Sequence, residues 1–208
     1  MAITITTGTH NGANDLVDAL AAAWTWDAED TSSENHSVTW GDCGIRRNPI
    51  NTGDIQVVYN NVQPQNVASP AGSGGTYIIA ATANAILMYF TNGGESFALM
   101  AGSGVEADTD NTSKLVGIGG VVASTAYPKA GCYGMVGGTG VTSRINAQHT
   151  RTSANGAQIT PYMHAEGGIV CESIALVDIM DSLTHVGRVI VNGNPWYVVG
   201  ALAIKEEC

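Results

Sequence analysis

From Ile55 to Gly94 the chain runs for 40 positions without one Asp, Glu, Lys or Arg. Two stretches of that run, Thr76 to Ala83 and Ala85 to Thr91, are rich in aliphatic, aromatic and β-branched residues and read as strands. The break ahead of them, Pro70 to Gly75 (PAGSGG), is turn chemistry. A half-solvated antiparallel strand alternates apolar residues with polar or charged ones, so a charge-free run of this length leaves its second face neutral. Either that face is covered by another protein or the strands are buried on both sides, and both readings stay open at this level.

Scarcity of ions extends to the whole chain. Only 12% of residues are charged, about half the usual share near 25%. A surface of Gly, Ala, Ser, Thr and Asn is covered by a neighbour at little desolvation cost, whereas a free monomer ordinarily relies on a dense, mixed-sign surface. The composition therefore points to a subunit of an assembly, and a homo-oligomer is expected. The net charge is −10 and Lys and Arg number eight in all. No nucleic-acid partner is expected, because phosphate contacts need clustered cations. Arg46-Arg47 is the one adjacent basic pair and reads as a solvated strand end or an interface ion pair.

A length of 208 residues suits one large all-β domain, or one domain with a short appended arm. The start, MAITIT, has neither a basic n-region nor an unbroken apolar run, so no secretory signal is expected. The most apolar stretch, Tyr77 to Phe90, is too short to span a bilayer and is interrupted by Thr82 and Asn84; no membrane partner is expected. Cys43, Cys132, Cys171 and Cys208 are widely spaced without a C-x-x-C pair and read as reduced, mostly buried thiols.

Along the chain, Ile3 and Ile5 alternate with threonines, which is strand-like, until Gly8 to Gly12 breaks the pattern. Asn14 or Asp15 can cap a helix whose Leu16, Val17, Leu20 and Ala23 form one apolar stripe ahead of Trp24 and Trp26. After the acidic loop Asp27 to Asn35, strands are expected over His36 to Arg47, Asp54 to Val62, Thr76 to Ala83, Ala85 to Thr91 and Ser96 to Ala101. Further strands are expected over Lys114 to Ala123, Gly131 to Val136, Ile169 to Asp178, Arg188 to Val191 and Trp196 to Ile204. Asn192-Gly193 predicts a type I′ hairpin, whose central residues need positive φ. Thr142 to Gln158 is polar and reads as a loop or extended excursion. The fold class expected is all-β, a sandwich or distorted barrel with one short N-terminal helix, divided into an N-terminal arm over 1–12 and a single β-rich domain over 13–208. Met1 to Thr7 is a candidate edge strand for a neighbouring subunit.

There is no G-x-x-x-x-G-K-[ST], G-x-S-x-G or H-E-x-x-H, and no H-x-E followed by P-C-x-x-C. Gly72 to Gly75 and Gly137 to Gly140 lack the basic residue and following helix of a phosphate loop and read as turns. His164, Glu166 and Cys171 are zinc-capable donor types, but H-x-E-x4-C matches no common site. Cys132 or Cys171 with His149 or His185 forms a nucleophile pair only if the fold brings them together. Asp108, Asp110 and Thr112 open like a calcium loop, yet Ser113 and Gly119 stand where Gly and Glu are required. The sequons at Asn35 and Asn111 carry no weight without a secretory signal. Trp24, Trp26, Trp40 and Trp196 are dispersed in sequence and read as core residues, where a sugar platform would expose several together. No catalytic, cofactor-binding or metal-ligating residue is assigned, no cofactor is expected, and the chain is read as not an enzyme.

Two stretches carry a family resemblance. Lys114 to Pro128 (KLVGIGGVVASTAYP), continuing to Tyr133 to Gly138 (YGMVGG), resembles the central block of aliphatic strand, Gly, Tyr-Pro, strand and Gly-Gly found in tailed-bacteriophage virion proteins of about this size. Arg188 to Ile204 (RVIVNGNPWYVVGALAI) is similar to the closing hairpin of phage tail and neck subunits. The resemblance implies a structural role in a virion, at the tail, neck, baseplate or capsid surface, for a protein made in the host cytoplasm. Its partners would be copies of itself and other virion proteins. It brings no catalytic residues. A host-surface or glycan-binding module of such a particle is the alternative, and a small hydrolase with a spatially assembled triad is a third reading.

Overall fold

Short β-branched runs punctuated by Gly, Asn and Pro leave the backbone little choice but strands joined by tight turns. The computed structural model describes residues 2–32, 35–41, 43–59, 62–68, 74–92, 95–106, 112–122, 129–137, 144–150, 158–163, 169–178, 186–191, 193–199 and 202–206. In chain order these form β1 (Thr4–His10), α1 (Ala13–Ala23), β2 (Ala28–Asp30), β3 (Ser37–Trp40), β4 (Cys43–Arg47), β5 (Ile55–Tyr59) and β6 (Val62–Ala68). Next come β7 (Gly75–Ala81), β8 (Ala85–Asn92), β9 (Glu95–Glu106), β10 (Thr112–Val122), β11 (Lys129–Gly137) and β12 (Arg144–Thr150). The chain closes with β13 (Gln158–Met163), β14 (Ile169–Asp178), β15 (Val186–Val191), β16 (Asn194–Val199) and β17 (Leu202–Lys205).

The fold is all-β, with α1 as the one helix among the described residues. A 12-stranded antiparallel sheet runs β1-β7-β8-β9-β14-β17-β16-β15, with β10 to β12 branching from β9 and β13 from β14. A 5-stranded sheet runs β2-β3-β4-β5-β6. Leu16, Val17 and Leu20 of α1 are fully buried against Val38, Ile45 and Ile55 of the small sheet and Ile79, Ile86, Met88 and Phe90 of the large one. That is the apolar stripe expected from their spacing, with Ala23 half-buried at its end. The large sheet also doubles back, so that β16 and β17 pack against β8, with Val198, Ala203 and Ile204 fully buried. β8 is thereby enclosed on both faces: Ala85 to Phe90 are all buried.

That enclosure decides part of the question raised by the charge-free run. Alternate side chains of a strand point to opposite faces, and from Ala85 to Phe90 neither face of β8 meets water. For β8, burial on both sides explains the missing charges.

Other expectations change at boundaries. His36 to Arg47 is a hairpin, β3 and β4, turned at Gly41 with φ 63°, a conformation that favours glycine. Asp54 to Val62 likewise divides between β5 and β6, and Trp196 to Ile204 between β16 and β17. The polar segment Thr142 to Gln158 contains β12, which pairs with β11 from Arg144↔Met135 to Thr150↔Lys129. Of the two readings, loop or extended excursion, residues 144–150 take the extended one, because ladder bonding is a backbone property that a polar composition does not prevent. Helix α1 begins at Ala13, ahead of Asn14 and Asp15, with Gly12 at the N-cap. Asp15 still serves the helix start, accepting from the Asn11 backbone N–H at 2.8 Å.

Residues 1–12, read as an arm, carry β1, which is hydrogen-bonded within its own chain from Thr4↔Ala81 to His10↔Gly75. The closing hairpin turns where expected, since Val191 pairs with Asn194 and Gly193 has φ 79°, while Asn192 lies outside the described residues. Arg188 Nε donates to Glu206 at 2.8 and 2.9 Å across its exposed side.

Candidate functional site

Residues 1–14 contain no charged side chain, and neither do residues 55–94. Pairing of β1 with β7, and of β7 with β8, sets the first segment beside residues 75–92 of the second as the margin of the large sheet, while residues 55–68 of the second belong to the small sheet. Among the described residues nothing pairs with the outer edge of β1. Thr4, Ile5, Thr6, Thr7 and Thr9 are exposed, as is Thr76 beside them. Threonine and isoleucine hold an extended backbone through their branched Cβ, so this edge is stiff and extended without a partner.

The inner end of β1 is fastened by close contacts. His10 is buried, its ring meets Phe90 edge-on at 5.8 Å, and Nε2 donates to the Thr91 carbonyl at 2.9 Å. Its Nδ1 is buried without a hydrogen-bond partner among the described residues. Gly75 lets the chains approach this closely, because a Cβ there would collide with the Thr91 carbonyl oxygen and the His10 ring. Gly8 lies under the Tyr77 ring for the same reason. Thr76 donates its N–H to Thr91 Oγ1 at 3.2 Å, tying β7 to β8 at the same place.

Three tryptophans come together. Trp24 meets Trp26 edge-on at 4.9 Å and Trp40 at 4.5 Å. Their indole N–H groups donate inward: Trp24 to the Thr82 carbonyl at 2.9 Å, Trp26 to Leu20 at 2.8 Å and Trp40 to Gly102 at 3.2 Å. The dispersion suggested by the sequence is therefore replaced by a cluster that joins the helix end to both sheets, while Trp196 is buried separately in β16. With these N–H donors committed to backbone carbonyls, the cluster is built as a structural joint.

Sequence reading also missed an Asp–His pair, Asp18 with His36, whose carboxylate and Nδ1 are 2.7 Å apart. Eighteen positions separate them, and no local motif marks such a contact. A cleft of about 260 Å³ opens beside it, lined by Asp30, Asn35, His36, Ser37, Arg46, Arg47 and Pro49. Arg46 Nε is engaged by Gln56 Oε1 at 3.0 Å. Asp30 is held below the usual carboxylate range, first by the backbone N–H of Ser32, then by the Ser32 hydroxyl and by the nearness of His36. The cleft mixes both signs of charge.

Among the described residues no three His, Cys, Asp or Glu side chains gather as a metal site, and no helix is long and apolar enough to cross a membrane. His164, Glu166, His185, Asp108, Asp110, Asn111 and Cys208 lie outside the described residues, as do Gly72 and Gly138 to Gly140. Cys43, Cys132, Cys171 and His149 are placed by backbone register alone, Cys132 opposite Ala147 and His149 opposite Ala130. Comparison with protein-family models, with curated proteins and with solved structures yields no match.

Proposed function

We propose that this chain is a structural subunit of a virion, a β-sandwich that works by packing against copies of itself and against neighbouring virion proteins. The observation that carries the reading is the neutral margin: parts of two charge-free segments distant in sequence lie together, and their outermost strand is exposed. A free monomer gains nothing from an uncharged, unprotected sheet edge, whereas an assembly uses it as contact surface. The resemblance of Lys114 to Gly138 and Arg188 to Ile204 to phage virion proteins supplies the kind of particle.

Size-exclusion chromatography with light scattering on the purified chain tests this directly. A mass that is a multiple of 21.5 kDa is expected. A monomer that persists at millimolar concentration, alone and with the other proteins of its particle, overturns the proposal.

A further inference from the structure

Six strands end the two sheets among the described residues: β1, β12, β13 and β15 in the large sheet, β2 and β6 in the small one. Natural sheets guard free edges with charged residues, prolines or bulges, because a bare edge pairs with any other strand. Five of the six carry such a guard. β2 has Glu29 and Asp30, β12 has Arg144, and β15 has Arg188. β6 contains Pro64 and β13 contains Pro161, where the register with β14 also slips. β1 has no charge, no proline and no break in its register with β7.

We propose that β1 pairs antiparallel with β1 of a second copy, about a two-fold axis through Thr6. The inference rests on the assembly reading above and names the contact. Like-with-like pairing about a two-fold satisfies both edges at once and closes on itself. It sets Thr6 against its own image, Ile5 against Thr7 and Thr4 against Gly8, so threonine and isoleucine meet across the seam. Charge favours the same partner: two copies at −10 each repel least where neither presents an ion, and the β1-β7-β8 margin presents none. Guards on the other five edges disfavour a head-to-tail match.

The test uses the full chain with Ile5→Lys and Thr7→Lys together. Both side chains are exposed, so the fold tolerates them, while the seam would have to hold four ammonium groups. Light scattering is expected to show the wild-type mass falling by half or more, with an unchanged far-UV circular dichroism spectrum. In the wild type, hydrogen exchange is expected to protect consecutive amides of β1, and in the variant only alternate ones, since one edge of the strand remains bonded to β7. Thr7→Lys alone gives the same direction should the double variant fold poorly. A variant that keeps the wild-type mass and protection overturns the β1 contact and leaves the assembly reading standing. A wild type at 21.5 kDa at millimolar concentration overturns the β1 contact too, and the assembly reading falls with it when the chain also stays a monomer among the other proteins of its particle.

Discussion

The rings of Trp24 and Trp40 lie 4.5 Å apart with their planes tilted by 50°, so the residue that ends α1 stacks on a residue of β3. Each then reaches into the large sheet, Trp24 through Thr82 and Trp40 through Gly102. Helix, small sheet and large sheet are joined at this point.

Trp40→Ala is expected to destabilise the protein by about 2–3 kcal/mol, less than a fully buried tryptophan because the ring is half-buried. Trp24→Ala and Trp40→Ala together are expected to cost about 1 kcal/mol less than the sum of the two alone, since each single change already removes the ring contact. Urea unfolding of the four proteins in the cycle measures both.

Gly75→Ala is expected to cost about 3 kcal/mol or more, because its Cβ has nowhere to go but into the Thr91 carbonyl and the His10 ring. At Gly193 a Cβ meets nothing within 4 Å. Gly193→Ala is expected to cost only about 1–2 kcal/mol, from its φ of 79° alone. Thermal melts of the two variants should rank them in that order.

Leu87→Lys is expected to prevent folding, since an unpaired ammonium inside a strand enclosed on both faces costs on the order of 4–5 kcal/mol or more. Thr76→Lys, on the exposed part of β7, is expected to leave stability within about 0.5 kcal/mol. Equal tolerance of both changes in expression and unfolding experiments would contradict burial as the cause of neutrality in β8.

Asp30 has a folded-state pKa below the usual aspartate value. Its contribution to stability is complete at pH values above the unfolded pKa and is lost as the pH falls through the lower, folded one. A carboxyl carbon NMR titration should find its midpoint below that of an unstructured aspartate. Ser32→Ala should raise the midpoint partway, because the backbone N–H of residue 32, 2.9 Å from Oδ1, survives the change.

Much of the fold could be read from local chemistry. Leu16, Val17 and Leu20 fix a helix because their spacing gives one apolar side, and Gly193 turns the last hairpin because its φ is open to glycine. β12 was legible only as a loop or extended excursion, since the alternation in RINAQHT rests on two apolar residues, Ile145 and Ala147, and its order comes from the ladder to β11. The Asp18–His36 pair was not legible, because a contact between a helix and the residue ahead of a distant strand leaves no spacing to find.

By itself the sequence determined that the chain is β-rich, that it has one N-terminal helix and that long stretches of it, residues 1–14 and 55–94 among them, are free of ions, since propensity, periodicity and charge are properties of residues near one another. Only the tertiary structure decided what that neutrality is for in each place. In β8 it serves burial, because β16 and β17 cover the face that α1 and the small sheet leave open. In β1 the same neutrality lies on an exposed edge. The physical reason is that whether a strand meets water depends on which other strands pack over it, and those strands lie far away along the chain.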